Sequence, residues 1–89
     1  MVSQEIEIIN KLGLHARAAA RFVQLASRFE SELFLQRDSQ EVNGKSIMGV
    51  MMLAAGCGTQ LTLKASGPDE EEAVAALQDL VARRFDEPA

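Results

Sequence analysis

Along this chain the spacing of apolar residues switches repeatedly between two periods, and that switching restricts the fold more than any other feature. Over residues 2–9, Gln4, Ile6 and Ile8 alternate with Ser3, Glu5 and Glu7, the period of a strand with one buried face. After the polar segment 10–14, Ala19, Phe22, Val23 and Ala26 stand at i, i+3, i+4 and i+7, and Phe29 extends the stripe. This predicts an amphipathic helix beginning just after His15. Leu33 and Leu35 return to period two, and Asp38 and Ser39 offer turn chemistry before a short strand centred on Val42, so a hairpin is expected.

Ser46 is an N-cap residue type in front of a short, methionine-rich helix over 47–53, which Gly56 and Gly58 are expected to end. Residues 60–65 alternate again, with Leu61, Leu63 and Ala65 on one face. In the last helix Val74, Leu77 and Val81 form the buried stripe, and Arg83 and Arg84 suit its negative end. Asp69 is expected to cap that helix with Glu72 as its capping-box partner, and the tail 86–89 to fray. The order β-α-β-β-α-β-α, with one apolar face on every strand, predicts an α+β open-faced β-sandwich. Its four-stranded antiparallel sheet would be covered on one face by helices, and 89 residues leave room for a single domain over 1–89.

Several function classes fall away at this point. No apolar run approaches the roughly 20 residues of a membrane span, and the MVSQEIEI start has no basic or apolar leader, so a cytoplasmic protein is expected. One cysteine, Cys57, and one histidine cannot build a disulfide or a four-ligand zinc site. A net charge of −4 without Trp or Tyr argues against a nucleic-acid partner, and glycine-rich nucleotide loops are absent. Cys57, between two glycines, reads as a small filler. Glu70, Glu71 and Glu72 read as a helix-start charge preference, not as a metal site. Yet every charged residue between Glu7 and Glu30, namely Lys11, Arg17, Arg21 and Arg28, is basic. A locally positive segment inside an acidic protein suits a small anion.

That segment holds His15, whose ring can be neutral and nucleophilic near neutral pH. It stands where the amides of Ala16 and Arg17 lack helical partners and the helix dipole is positive, so an anion on the ring would be stabilised. The guanidinium of Arg17 matches phosphate oxygens. A phosphoryl group on an imidazole nitrogen is the inference, although a lone histidine at a helix start is in most proteins only a polar residue there.

The string KLGLHARAAARF over 11–22 resembles the active-site segment of the histidine-containing phosphocarrier (HPr) proteins of the bacterial phosphotransferase system. GKSIMGVMMLAAGCG over 44–58 is similar to the same family's regulatory-serine region, and two long strings are far more specific than a lone GLH. The resemblance implies that His15 takes a phosphoryl group on Nδ1 from an enzyme I type protein, with Arg17 assisting, and passes it to an enzyme IIA type protein. It implies no metal or organic cofactor, and a carrier, not an enzyme. Ala18 departs from the family's usual Pro and leaves a free amide in the first turn. The variant LHARAAA resembles the nitrogen-related branch, so sugar uptake and nitrogen-related regulation both stay open.

Ser46 is explained by helix capping alone; the resemblance adds phosphorylation by a dedicated HPr kinase/phosphorylase, placing negative charge beside the docking surface. Residues 47–52 cannot all point inward from a two-turn helix, so Val50 and Leu53 are assigned to the core. Ile47, Met48 and Met51 are assigned to a docking patch, as the family implies, with Ala20, Arg21 and Gln24 beside it. The working form is expected to be a monomer. Two rivals remain: a docking-only regulatory module whose phosphorylation sets partner affinity, and an enzyme using His15 as general base, which lacks a second catalytic group nearby in sequence.

Overall fold

In the computed structural model, which describes residues 1–89, the elements follow the expected order: β1 (Val2–Glu7), α1 (Ala16–Ala26), β2 (Glu32–Arg37), β3 (Gln40–Asn43), α2 (Ile47–Met52), β4 (Gln60–Ser66) and α3 (Glu70–Ala82). All strand pairs are antiparallel and the spatial order is β1-β4-β2-β3. The register places Ile6 opposite Leu61, Leu35 opposite Leu63 and Leu33 opposite Ala65. Every one of these side chains is buried, so the alternating pattern sets the inner face of the sheet.

Three helices supply the other half of the core. Ala18, Ala19, Phe22, Val23 and Ala26 of α1 are buried, as are Val50 of α2 and Ala73, Val74, Leu77, Leu80 and Val81 of α3. They join the inner sheet residues in one apolar cluster. The structure is thus the open-faced α+β sandwich that the two periods require. α1 stops at Ala26, and Phe29 lies beyond it, half-buried against the same core.

Three local expectations are corrected. Asp69 does not cap α3. Its carboxylate instead accepts from the amides of Glu30 and Ser31, both at 2.9 Å, and from the Ser31 hydroxyl at 2.5 Å. Several donors from the α1–β2 connection outcompete one amide of its own helix. Glu70, not Glu72, reaches back, accepting from the Gly67 amide at 3.1 Å.

Helix α2 ends before its glycines are reached. Ala54 takes the left-handed conformation (φ 50°), and Arg37 donates to the Leu53 and Ala54 carbonyls at 2.8 and 2.9 Å. A long-range cation therefore satisfies the carbonyls that a C-terminal glycine motif would have served.

The tail is ordered. Arg84, Phe85 and Asp86 form a single left-handed turn (φ 56°, 55° and 62°), with the Phe85 side chain fully buried and its carbonyl accepting from Arg21. Further on, the Lys11 amide donates to the Ala89 carbonyl at 3.1 Å.

The Asp69 arrangement has a pH signature. Its hydrogen bonds from Ser31 and Glu30 hold the carboxyl below its ordinary value. A depressed folded value contributes stability that is complete above the unfolded value, roughly 3.9, and is lost as pH falls through the folded one. Asp69→Asn is expected to lower the thermal midpoint at pH 7, with the gap to the parent closing below about pH 4. A gap of constant size down to pH 3 in a melting series would contradict the assignment.

Candidate functional site

The loop before α1 is fixed by backbone, and this places His15. Gly13 is left-handed (φ +69°), and a Cβ on it would sit 2.5 Å from the Ala55 carbonyl oxygen, so the position requires glycine. The next amide, Leu14, donates to that same carbonyl at 2.8 Å. His15 follows as N-cap of α1 in an extended conformation (φ −72°, ψ 178°), and its side chain makes no capping bond. The imidazole is therefore left for other partners.

Its Nε2 lies 2.5 Å from Oε2 of Glu87, while no hydrogen bond engages Nδ1. Burial pushes the Glu87 carboxyl up, but hydrogen bonds from His15 and Asn10, together with the charge of Arg21, hold the group below its ordinary value. Glu87 is thus an ionised acceptor, and the proton between it and the ring belongs to Nε2. Asn10, fully buried, donates through Nδ2 to Glu87 Oε1 at 3.0 Å and to the Gly13 carbonyl at 2.8 Å. Both partners are acceptors, so only the amino side of the carboxamide can face them; its Oδ1 has no partner.

A cleft of about 680 Å³ opens beside the ring, lined by Lys11, Leu12, Arg17, Glu87 and Pro88 among others. The amides of Ala16, Arg17 and Ala18 carry no hydrogen bond, and neither Lys11 nor Arg17 is tied to a carboxylate. Unbonded helix-start amides, two free cations and an unpartnered ring nitrogen are suited to a tetrahedral anion attached to that nitrogen. His15, Ala16 and Arg17 are thus brought together as expected. Asn10 and Glu87 were not foreseen: Asn10 stands five positions before His15, just outside the 11–22 string, in a segment marked only by its polarity, and Glu87 lies in the segment expected to fray.

The second region lies on α2, which packs against α1. Val50 and Leu53 are buried, and Ile47, Met48 and Met51 are exposed, Met48 at 76%. Met52, not assigned from sequence, is exposed as well. Ser46 caps α2, its Oγ accepting from the Gly49 amide at 3.1 Å. Ala20 is half-buried on α1. Arg21 and Gln24 face a shallow groove shared with Leu80, Arg83 and Asp86, on the α3 side of α1, and the Arg21 guanidinium is held by the Phe85 carbonyl.

Residues 2–83 match the sequence model of the family described as PTS HPr component phosphorylation site. The chain is 55% identical over 87 residues to a phosphocarrier protein HPr of Cupriavidus necator, covering 98% of each. Its fold superposes on the crystal structure of HPr-C-His from Thermoanaerobacter tengcongensis with a TM-score of 0.96 at 50% identity over the whole of both chains. A crystal structure described as an HPr dimer from the same organism matches with a TM-score of 0.79 at 52% identity, over 98% of this chain and all of the other.

Proposed function

We infer the working of this site from one premise, that the chain belongs to the HPr family of phosphotransferase-system phosphocarriers. It is a phosphoryl carrier and not a catalyst, and its partners are other proteins of that system. His15 is the residue that carries the group, accepting it on Nδ1 from a phosphohistidine of an enzyme I type protein. It then hands the group to an enzyme IIA type protein, in sugar uptake or nitrogen-related regulation. The observation that carries this reading is the ring itself: uncapped, with Nε2 held and Nδ1 free, beside unbonded amides and the free guanidinium of Arg17.

In the transfer, the Nδ1 lone pair forms a bond to phosphorus as the donor's N–P bond breaks, and the bonding pair stays on the donor ring. A donor ring protonated on its other nitrogen leaves as neutral imidazole. His15, neutral with its proton on Nε2, becomes a phosphorylated ring still protonated there, so no proton enters or leaves. The Ala16 and Arg17 amides and the Arg17 side chain take up phosphoryl oxygens. In this reading the carrier needs no metal or organic cofactor of its own, because the transfer potential resides in the donor's N–P bond. A cytoplasmic, monomeric carrier belongs to the same proposal; sedimentation at working concentration tests the second point, and a dimer would replace it.

Intact mass and phosphorus NMR after incubation with enzyme I, phosphoenolpyruvate and magnesium test the reading. One acid-labile phosphoryl group with an Nδ1-phosphohistidine resonance is expected. No gain with either the sugar or the nitrogen type of enzyme I would reject it.

Ile47, Met48 and Met51, with Ala20, Arg21 and Gln24 along α1, make up the docking surface in this proposal, and Ser46 is its regulatory position, open to an HPr kinase/phosphorylase. The exposed thioethers supply adaptable apolar area to more than one partner. Met48→Ala is expected to weaken enzyme I binding by about tenfold, the scale of one well-buried interface side chain. Ser46→Asp, which brings charge to the same face, is expected to act in the same direction. Titration calorimetry with both affinities unchanged would remove the patch from the interface.

A further inference from the structure

Glu87 makes its only two side-chain bonds to His15 Nε2 and Asn10 Nδ2, one on each carboxylate oxygen. Its side chain is 10% exposed. Asn10 is in turn fixed to the Gly13 carbonyl, in the loop whose left-handed glycine sets the entry to α1. The carboxamide keeps this arrangement although its own Oδ1 is left buried without a donor, an arrangement that costs stability and whose return is the Nδ2 contacts. A chain of contacts therefore runs from the loop backbone through Asn10 and Glu87 to the ring of His15.

We propose that Glu87, anchored by Asn10, is the positioning residue of the phosphoryl-accepting imidazole. Its carboxylate keeps the proton on Nε2, so that Nδ1 presents its lone pair, and then serves as counter-charge once the phosphorylated ring is cationic. This rests on His15 being the acceptor. A carboxylate can hold a ring in one tautomer because it only accepts hydrogen bonds, and it favours the charged ring over the neutral one because charge-assisted bonds are the stronger kind. Glutamine at position 87 keeps the shape but has one acceptor oxygen for two donors and no charge, so it separates shape from electrostatics.

The test compares the parent, Glu87→Gln, Glu87→Ala and His15→Ala, each first shown to melt cooperatively. Nitrogen-15 NMR of the histidine ring at neutral pH is read beside the equilibrium of phosphoryl transfer from phosphorylated enzyme I. In the parent, Nε2 is expected to give the protonated shift and Nδ1 the unprotonated one. In both Glu87 variants the two shifts are expected to move toward each other, and the transfer equilibrium to fall by about tenfold, the difference between a charge-assisted and a neutral bond. Unchanged ring shifts and an equilibrium within about twofold in both variants, with His15→Ala inactive, would overturn the role of Glu87 and leave the carrier reading standing. Weaker transfer with unchanged ring shifts would assign Glu87 to partner contact and also overturn it. Phosphoryl acceptance by His15→Ala would overturn the carrier reading at that residue and the proposal with it.

Discussion

His15→Ala is expected to accept no acid-labile phosphoryl group from enzyme I, a complete loss within the detection of intact mass. No other imidazole lies near the cleft: its lining supplies the cations Lys11 and Arg17 and the Glu87 carboxylate, both of whose oxygens accept hydrogen bonds, beside apolar residues, and the one cysteine, Cys57, lies against the Ile9 carbonyl in another loop. The loss would not reflect unfolding. The imidazole makes no capping bond, and its one hydrogen bond is to Glu87, so removal should cost on the order of 1 kcal/mol. That corresponds to a midpoint shift of about 4–8 °C for a domain of this size. A phosphoryl group retained by the folded variant would place the acceptor elsewhere.

Phe85→Ala is expected to be the costliest of the substitutions considered for stability, at about 3–5 kcal/mol, or a fall in thermal midpoint of roughly 12–40 °C. The ring is fully buried, although it stands within five residues of the last one described. It is also held in a left-handed turn of three non-glycine residues, a conformation that costs roughly 1–2 kcal/mol per residue. Burial of the ring is the main offset to that cost, so deleting it is expected to loosen the turn and, with it, the Arg21 contact to the Phe85 carbonyl. Glu87 follows two residues later and would lose its fixed approach to His15. The variant should therefore also show the averaged ring-nitrogen shifts expected of Glu87→Ala, even well below its melting temperature. A midpoint within a few degrees of the parent in a calorimetric scan would contradict this account.

The divide between what could and could not be seen in the sequence follows the range of the interactions involved. His15 at the start of α1, Ser46 capping α2, and the alternation that buries Leu61, Leu63 and Ala65 are set by residues within a turn or a strand of one another. Local spacing therefore reports them. The exposed Met48 beside the buried Val50 was legible because two helical turns cannot hide six apolar residues. Asp69 obeyed a capping pattern on paper, yet its carboxylate serves Glu30 and Ser31, 39 and 38 positions away. Arg37 ends a helix that begins ten residues later in the chain, and Glu87 meets a histidine 72 positions earlier. In each case a charged side chain took a distant partner, a choice that neither periodicity nor a capping rule encodes. The family string at 11–22 pointed to His15, but neither it nor the string at 44–58 extends to position 87, so the carboxylate behind the ring stayed invisible.

The sheet order β1-β4-β2-β3 puts the last-made strand in the interior and the first-made strand at a rim. As the chain leaves the ribosome, β2 and β3 can zip into a hairpin, but β1 waits for a partner until residues 60–66 have emerged. The sheet then closes on both sides of β4 at once, and β1 and β4 receive their α3 covering only after that. Assembly is therefore a late, long-range step with a slow-folding topology for so short a chain. Until β4 arrives, the nascent segment carries the complete His15 motif but no platform to hold it. Folding order thus withholds the His15–Glu87 geometry until residues 60–66, and the Glu87 that follows them, have been made.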